Sequence, residues 1–121
     1  DLAVRTLMMV DSLDMTDADR RLVLENCRGA AEERILVTHG TDTMTDTARV
    51  LGEARLPKTI VLTGAMVPYA FGSSDGLFNL GSALSFVQAL PHGVFVAMNG
   101  RCLPWDDVVK NRALGIFENR R

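Results

Sequence analysis

Three residues in this chain have side chains that could act together: Thr41, Asp42 and Lys110. A threonine hydroxyl is a poor nucleophile or proton relay until a base comes within hydrogen-bond reach. A lysine can be that base when burial or a neighbouring group lowers its pKa. A carboxylate can then orient the lysine or stabilise its charged form. Thr41 and Asp42 fall in the run Thr38-His39-Gly40-Thr41-Asp42-Thr43. Thr43 with Asp46 three residues on already makes a helix-capping pattern, so Thr41 and Asp42 are left for another use. His39 directly follows an apolar run and reads as a packing or hydrogen-bonding residue rather than a base. Lys110 lies far downstream, and sequence pattern alone gives it no route to the loop. On its own it reads as a solvated surface lysine.

The elements around the loop say what must position it. Arg34-Ile35-Leu36-Val37 is a short β-branched run that predicts a buried strand up to Thr38. Met44 to Ala54 has apolar residues at helical spacing, with Met44, Ala48 and Leu51 on the packed face. The loop therefore sits where a strand hands over to a helix. In parallel α/β folds that is where ligands meet exposed backbone N–H groups.

The rest of the chain repeats the alternation. Thr6 to Val10 reads as a first buried strand. Thr16 with Asp19 predicts a capped helix to about Ala31, burying Leu22, Val23, Cys27, Ala30 and Ala31 and leaving Arg20, Arg21, Glu25 and Arg28 in water. Thr59 to Thr63 predicts a further strand, followed by a longer loop from Val67 to Asp75. Asp75 is placed to cap a helix from Gly76 to Ala89 with Leu77, Leu80, Leu84 and Val87 in register. Val94 to Met98 predicts the last strand, and a short helix is expected from Trp105 to Asn111. This order argues an α/β fold, a doubly wound parallel sheet in three αβα layers.

In such a sheet the strand ends share one edge. They read Asp11-Ser12-Leu13-Asp14, His39 to Thr43, Gly64-Ala65-Met66 and Asn99-Gly100-Arg101. Small, hydroxyl-bearing and acidic residues thus gather on one rim. Taken singly, Asp11, Ser12, Asp14, Thr16, Thr43 and Asp75 read equally well as helix caps and Asx-turn residues.

Composition narrows the field. The 121 residues suit one domain with a real core, and 47% hydrophobic content is ordinary for a globular chain. A net charge of −2 with no basic block argues against nucleic acid or an anionic membrane as partner. No apolar run approaches the roughly 18 residues of a membrane span. Cys27 and Cys102 have no metal-type spacing and read as free thiols in the reducing cytoplasm, a single disulfide being the alternative.

The run His39-Gly40-Thr41-Asp42-Thr43-Met44 with Thr47-Ala48 resembles the second threonine motif of bacterial-type L-asparaginases. Asp11 to Met15 resembles that family's substrate-binding serine segment. Lys58 to Met66, Ser74-Asp75-Gly76 and Asn79-Leu80 match next, then Val94 to Asn99 and Asp107-Val108-Val109-Lys110. The resemblance covers nearly the whole chain. It implies a flavodoxin-like N-terminal domain that hydrolyses the side-chain amide of asparagine, in some members also glutamine, without metal or cofactor.

Under the resemblance Thr41 is the second catalytic threonine and Lys110 its proton-transfer partner. Asp42 binds the substrate α-amino group, Ser12 contacts its carboxylate, and the Ala65 backbone lies near the departing amide. A homo-oligomer is implied as well. Three departures accompany the match. The family's first threonine, its usual nucleophile, lies in a Gly-rich motif on a first strand that this chain does not contain. Leu13 stands where a glutamine commonly follows the serine. The C-terminal domain is absent, so the ending resembles short single-domain asparaginase-like proteins. The expectation is a domain over residues 1–121 whose first strand and nucleophile lie upstream of Asp1. Two rival readings are a non-catalytic asparaginase-like binding protein and a flavodoxin-like module holding phosphate or flavin. Asp42 and Asp46 speak against an anion cradle.

Overall fold

The computed structural model describes residues 2–67 and 72–120. Part of the expected Val67 to Asp75 loop, residues 68–71, lies outside the described residues. Thr16 and Asp19 open the first helix by reciprocal bonds. The Asp19 N–H donates to Thr16 Oγ1 at 3.2 Å and the Thr16 N–H to Asp19 Oδ2 at 3.0 Å. This capping box starts α1 (Asp17–Gly29). The remaining elements are β1 (Arg34–Thr38), α2 (Met44–Glu53), β2 (Thr59–Thr63), α3 (Gly76–Ala89), β3 (Gly93–Met98), β4 (Arg101–Pro104), β5 (Val109–Asn111) and β6 (Ile116–Glu118).

β1, β2 and β3 are parallel and lie in that order, and β4 runs antiparallel beside β3. Side chains alternate between the two faces, as strand geometry requires. Ile60, Leu62, Val94 and Val96 pack with Met44, Ala48 and Leu51 of α2 and with Val23 and Cys27 of α1. Val61 and Ala97 pack on the opposite face with Ala83 and Val87 of α3. The sheet is therefore covered by helices on both sides, the three-layer arrangement the alternation predicts. One detail follows from this topology. The strands step in one direction while α2 and α3 cover opposite faces, so the two crossovers have opposite hand. One of them breaks the usual right-handed preference.

Several expectations are corrected. Thr6 to Val10 forms no strand: Leu7 and Met8 lean on the core, while Met9 is 96% exposed. An apolar run becomes a strand only when a neighbour completes its hydrogen-bond ladder, and none among the described residues does so. In α1 the buried stripe is Arg20, Val23 and Cys27, three positions on one helical face. Leu22 points the other way and is exposed, and Ala31 is exposed beyond the helix. In α3 the sheet-facing residues are Asn79, Ala83 and Val87, whereas Leu77, Leu80 and Leu84 are exposed.

The expected helix at Trp105 to Asn111 is absent, and Cys102 lies in a strand. Asn99 and Gly100 both have positive φ (52° and 82°), and Met98 pairs with Arg101 across them. That is the two-residue hairpin turn Asn-Gly favours, so the chain folds back into β4. β5 and β6 then pair as a separate antiparallel hairpin, with Lys110 opposite Phe117.

Candidate active site

Parallel pairing sets the carboxyl ends of β1, β2 and β3 on one edge. His39 and the residues after it leave β1 beside the end of β2, where the His39 N–H donates to Thr63 O at 2.9 Å. The two chains are so close that a Cβ at Gly64 would lie 2.1 Å from His39 O. Only glycine fits at that crossing.

Lys110 reaches this edge from the β5–β6 hairpin. Its Nζ donates to Thr41 Oγ1 at 2.9 Å and to Asp42 Oδ1 at 2.9 Å. The lysine side chain is only 12% exposed, while Asp42 is 32% exposed. The hydroxyl, ammonium and carboxylate read from the sequence are thus in direct contact. Hydrogen bonding from Lys110 holds the Asp42 carboxyl below its ordinary range, with Arg112 adding to the effect.

Ser12 sits in a short 3-10 turn over Ser12–Asp14 and is 2% exposed. Its Oγ accepts the Thr43 N–H at 3.3 Å, and its carbonyl accepts the Thr43 hydroxyl at 2.7 Å. Thr43 therefore makes no side-chain cap on α2. Its hydroxyl is spent on the segment that carries Ser12. Ser12 adjoins the Thr41–Asp42 loop through these bonds. Ala65 does not join the bonded cluster: it is half-buried on the neighbouring strand end, against Gly76 at the start of α3.

His39 is a structural residue of the loop. Nδ1 meets Gly40 O at 2.6 Å, which makes it the donor, and Nε2 meets Thr47 Oγ1 at 2.7 Å. Burial lowers its pKa, so the neutral ring is favoured.

Two residues outside the expected site shape this edge. Asn79 is fully buried. Its amide donates to Gly64 O at 2.8 Å and to Asp75 Oδ2 at 2.9 Å, and its Oδ1 accepts the Asn99 N–H at 2.9 Å. Asp75, expected to cap α3, makes no cap there. It accepts instead from the N–H groups of Met66 and Val67 and from the amides of Asn79 and Asn99. Burial would raise its pKa, but these bonds outweigh burial and lower it. Together the pair ties the ends of β2 and β3 to α3. An Asp-to-Asn spacing of four residues is the sequence signal for such a contact.

Among the described residues no group of three or more His, Cys, Asp or Glu side chains could hold a metal ion. No helix among them is long and apolar enough to cross a membrane. Cys27 and Cys102 are free.

Fold and edge together define a flavodoxin-like α/β domain with polar residues collected at the carboxyl ends of its parallel strands. Residues 1–117 match the family model described as asparaginase, N-terminal. The chain is 36% identical over 95 residues to the probable periplasmic L-asparaginase of Haemophilus influenzae, covering 75% of this chain and 27% of that protein. It is 38% identical over 85 residues to L-asparaginase 2 of Escherichia coli, covering 67% and 24%. The crystal structure of a probable cytoplasmic L-asparaginase from Campylobacter jejuni superimposes with a TM-score of 0.83 at 33% identity, over 91% of this chain and 38% of that one. The chain belongs to the asparaginase family. It spans about a quarter of the length of these curated relatives.

Proposed function

We propose that this domain is the catalytic part of an amidohydrolase that removes the side-chain amide of asparagine, with glutamine as a second substrate. The observation that carries the reading is Lys110 Nζ at 2.9 Å from both Thr41 Oγ1 and Asp42 Oδ1. In its neutral form the lysine accepts the Thr41 proton, and Asp42 stabilises the ammonium that results. A threonine oxygen then adds to the amide carbon. The C–N bond breaks, and ammonia leaves carrying the proton returned by Lys110. Water opens the ester to the free acid and restores the hydroxyl. Ser12 and the Ala65 backbone frame the substrate on either side, in keeping with the family resemblance. No step in this scheme calls for a metal or cofactor.

Residues 1–121 are the asparaginase N-terminal-type domain of this enzyme, which works as a homo-oligomer in the cytoplasm, a compartment that suits free Cys27 and Cys102. The test is ammonia release from L-asparagine by the full-length protein. Release that is abolished by Thr41→Val or Lys110→Met supports the reading, and no turnover of any amide overturns it. Asparagine binding without ammonia release would favour the non-catalytic alternative.

A further inference from the structure

The site carries a second cation. Arg112 lies two residues beyond Lys110, where β5 turns toward β6. Its Nη1 donates to Asp42 Oδ1 at 2.9 Å and its Nη2 to Asp42 O at 3.1 Å. One guanidinium fork therefore holds both the side chain and the main chain of the same residue. Lys110 Nζ occupies the same Oδ1. Two cationic side chains share one carboxylate oxygen, and with Lys110 in its ammonium form the charge of Asp42 is outnumbered by one.

This bears directly on what Asp42 can receive. An amino-acid substrate presents an ammonium to Asp42, and here that ammonium would come within a few ångströms of a guanidinium already seated on the same carboxylate. Like charges at such separation near a surface oppose each other by about tenfold in affinity or more. A substrate carboxylate is drawn in by the same surplus. The Arg112 side chain is 62% exposed, so it stands at the rim where an incoming molecule meets it.

We propose that Arg112 is a specificity-determining residue that turns this site toward amide acids with a carboxylate but no neighbouring ammonium, the chemical class of succinamate. The inference rests on the reading of Thr41, Asp42 and Lys110 as an amide site, and it narrows the substrate of that site.

Calorimetric titration of the full-length protein with succinamate and with L-asparagine tests it, because binding is read whether or not turnover follows. Tighter binding of succinamate is expected. In Arg112→Gln the ratio should move about tenfold toward asparagine, the size of one screened charge contact. Arg112→Lys, which keeps the charge, should stay within about threefold of the native ratio. Native preference for asparagine, or a ratio unmoved in Arg112→Gln, overturns the assignment of Arg112 while leaving an amide site standing. Binding of neither compound overturns the amide reading itself. The native ratio needs no variant, so a substitution that impairs folding does not remove the test.

Discussion

Lys110 Nζ sits 2.9 Å from Thr41 Oγ1 although 69 residues separate them in the chain. The contact depends on the β5–β6 hairpin, which carries the lysine back over the carboxyl edge of the parallel strands. It also depends on a lysine that is 12% exposed, held between a hydroxyl and a carboxylate.

If that contact moves the proton, removing either partner should lower turnover by about 10²–10⁴-fold, the usual range for a positioned acid or base. Lys110→Met and Thr41→Val in the full-length protein, measured as ammonia release from L-asparagine, provide the check. The two losses should not add in the double variant, because both substitutions disable one unit. Additive losses would mean that the residues act separately.

His39 makes a pH prediction. Burial, the largest influence on it, lowers its pKa in the folded chain from about 6.5 in the unfolded one. A base whose folded pKa is depressed contributes stability that is fully present above the unfolded value. That stability drains away as pH falls through the folded value, because the unfolded chain binds the extra proton first. Urea unfolding at about pH 8 and about pH 5 should therefore show a larger loss for the native chain than for His39→Asn. Equal losses would show that burial does not hold the ring neutral.

Asn79 should be a stability residue whose loss also disturbs the site. It is fully buried, and its amide satisfies Gly64 O and the Asn99 N–H at the ends of β2 and β3. Asn79→Leu leaves both main-chain groups without partners, at a cost of about 1–3 kcal/mol each. A fall of that order in the free energy of unfolding, measured with urea, is expected. A change within about 0.5 kcal/mol, the size of an ordinary surface substitution, would contradict it.

The sequence disclosed most of the frame and half of the site. Three parallel strands, three helices and the Thr16–Asp19 capping box follow from local pattern, because each depends on neighbours in the chain. Thr41 and Asp42 were identifiable because Thr43 and Asp46 looked sufficient for the cap, even though Thr43 turned out to bond Ser12 instead. Lys110 needed the family resemblance, since no periodicity predicts a three-residue strand such as β5. The α3 face departs from expectation because leucines at helical spacing outweigh a buried stripe of Asn79, Ala83 and Val87, in which a polar and a small residue hide the signal. The Asn99-Gly100 pair lies at the end of β3 as expected, and it also carries the hairpin signal for β4. Arg112 carried no signal: an exposed arginine in a turn is ordinary until the fold sets it on Asp42.

Lys58 gives the last prediction. Its side chain is almost fully buried, and no carboxylate among the described residues pairs with it. The ammonium donates instead to Cys27 O at 2.6 Å, to Arg28 O at 3.4 Å and to Ala30 O. These carbonyls close α1, where the last turn of a helix leaves acceptors unsatisfied and the helix dipole favours a cation. Lys58→Met keeps the apolar stem but strips the carbonyls of their donor. It should cost about 1–3 kcal/mol in urea unfolding, as for other buried acceptors left unpaired. A similar loss is expected for Lys58→Gln only if its shorter amide fails to reach the helix end, so a milder effect there would separate lost hydrogen bonding from lost charge. Ammonia release per folded molecule should be unchanged, because Lys58 precedes β2 and the site lies at the far ends of the strands. A stability equal to native in Lys58→Met would show that α1 ends without help from this lysine.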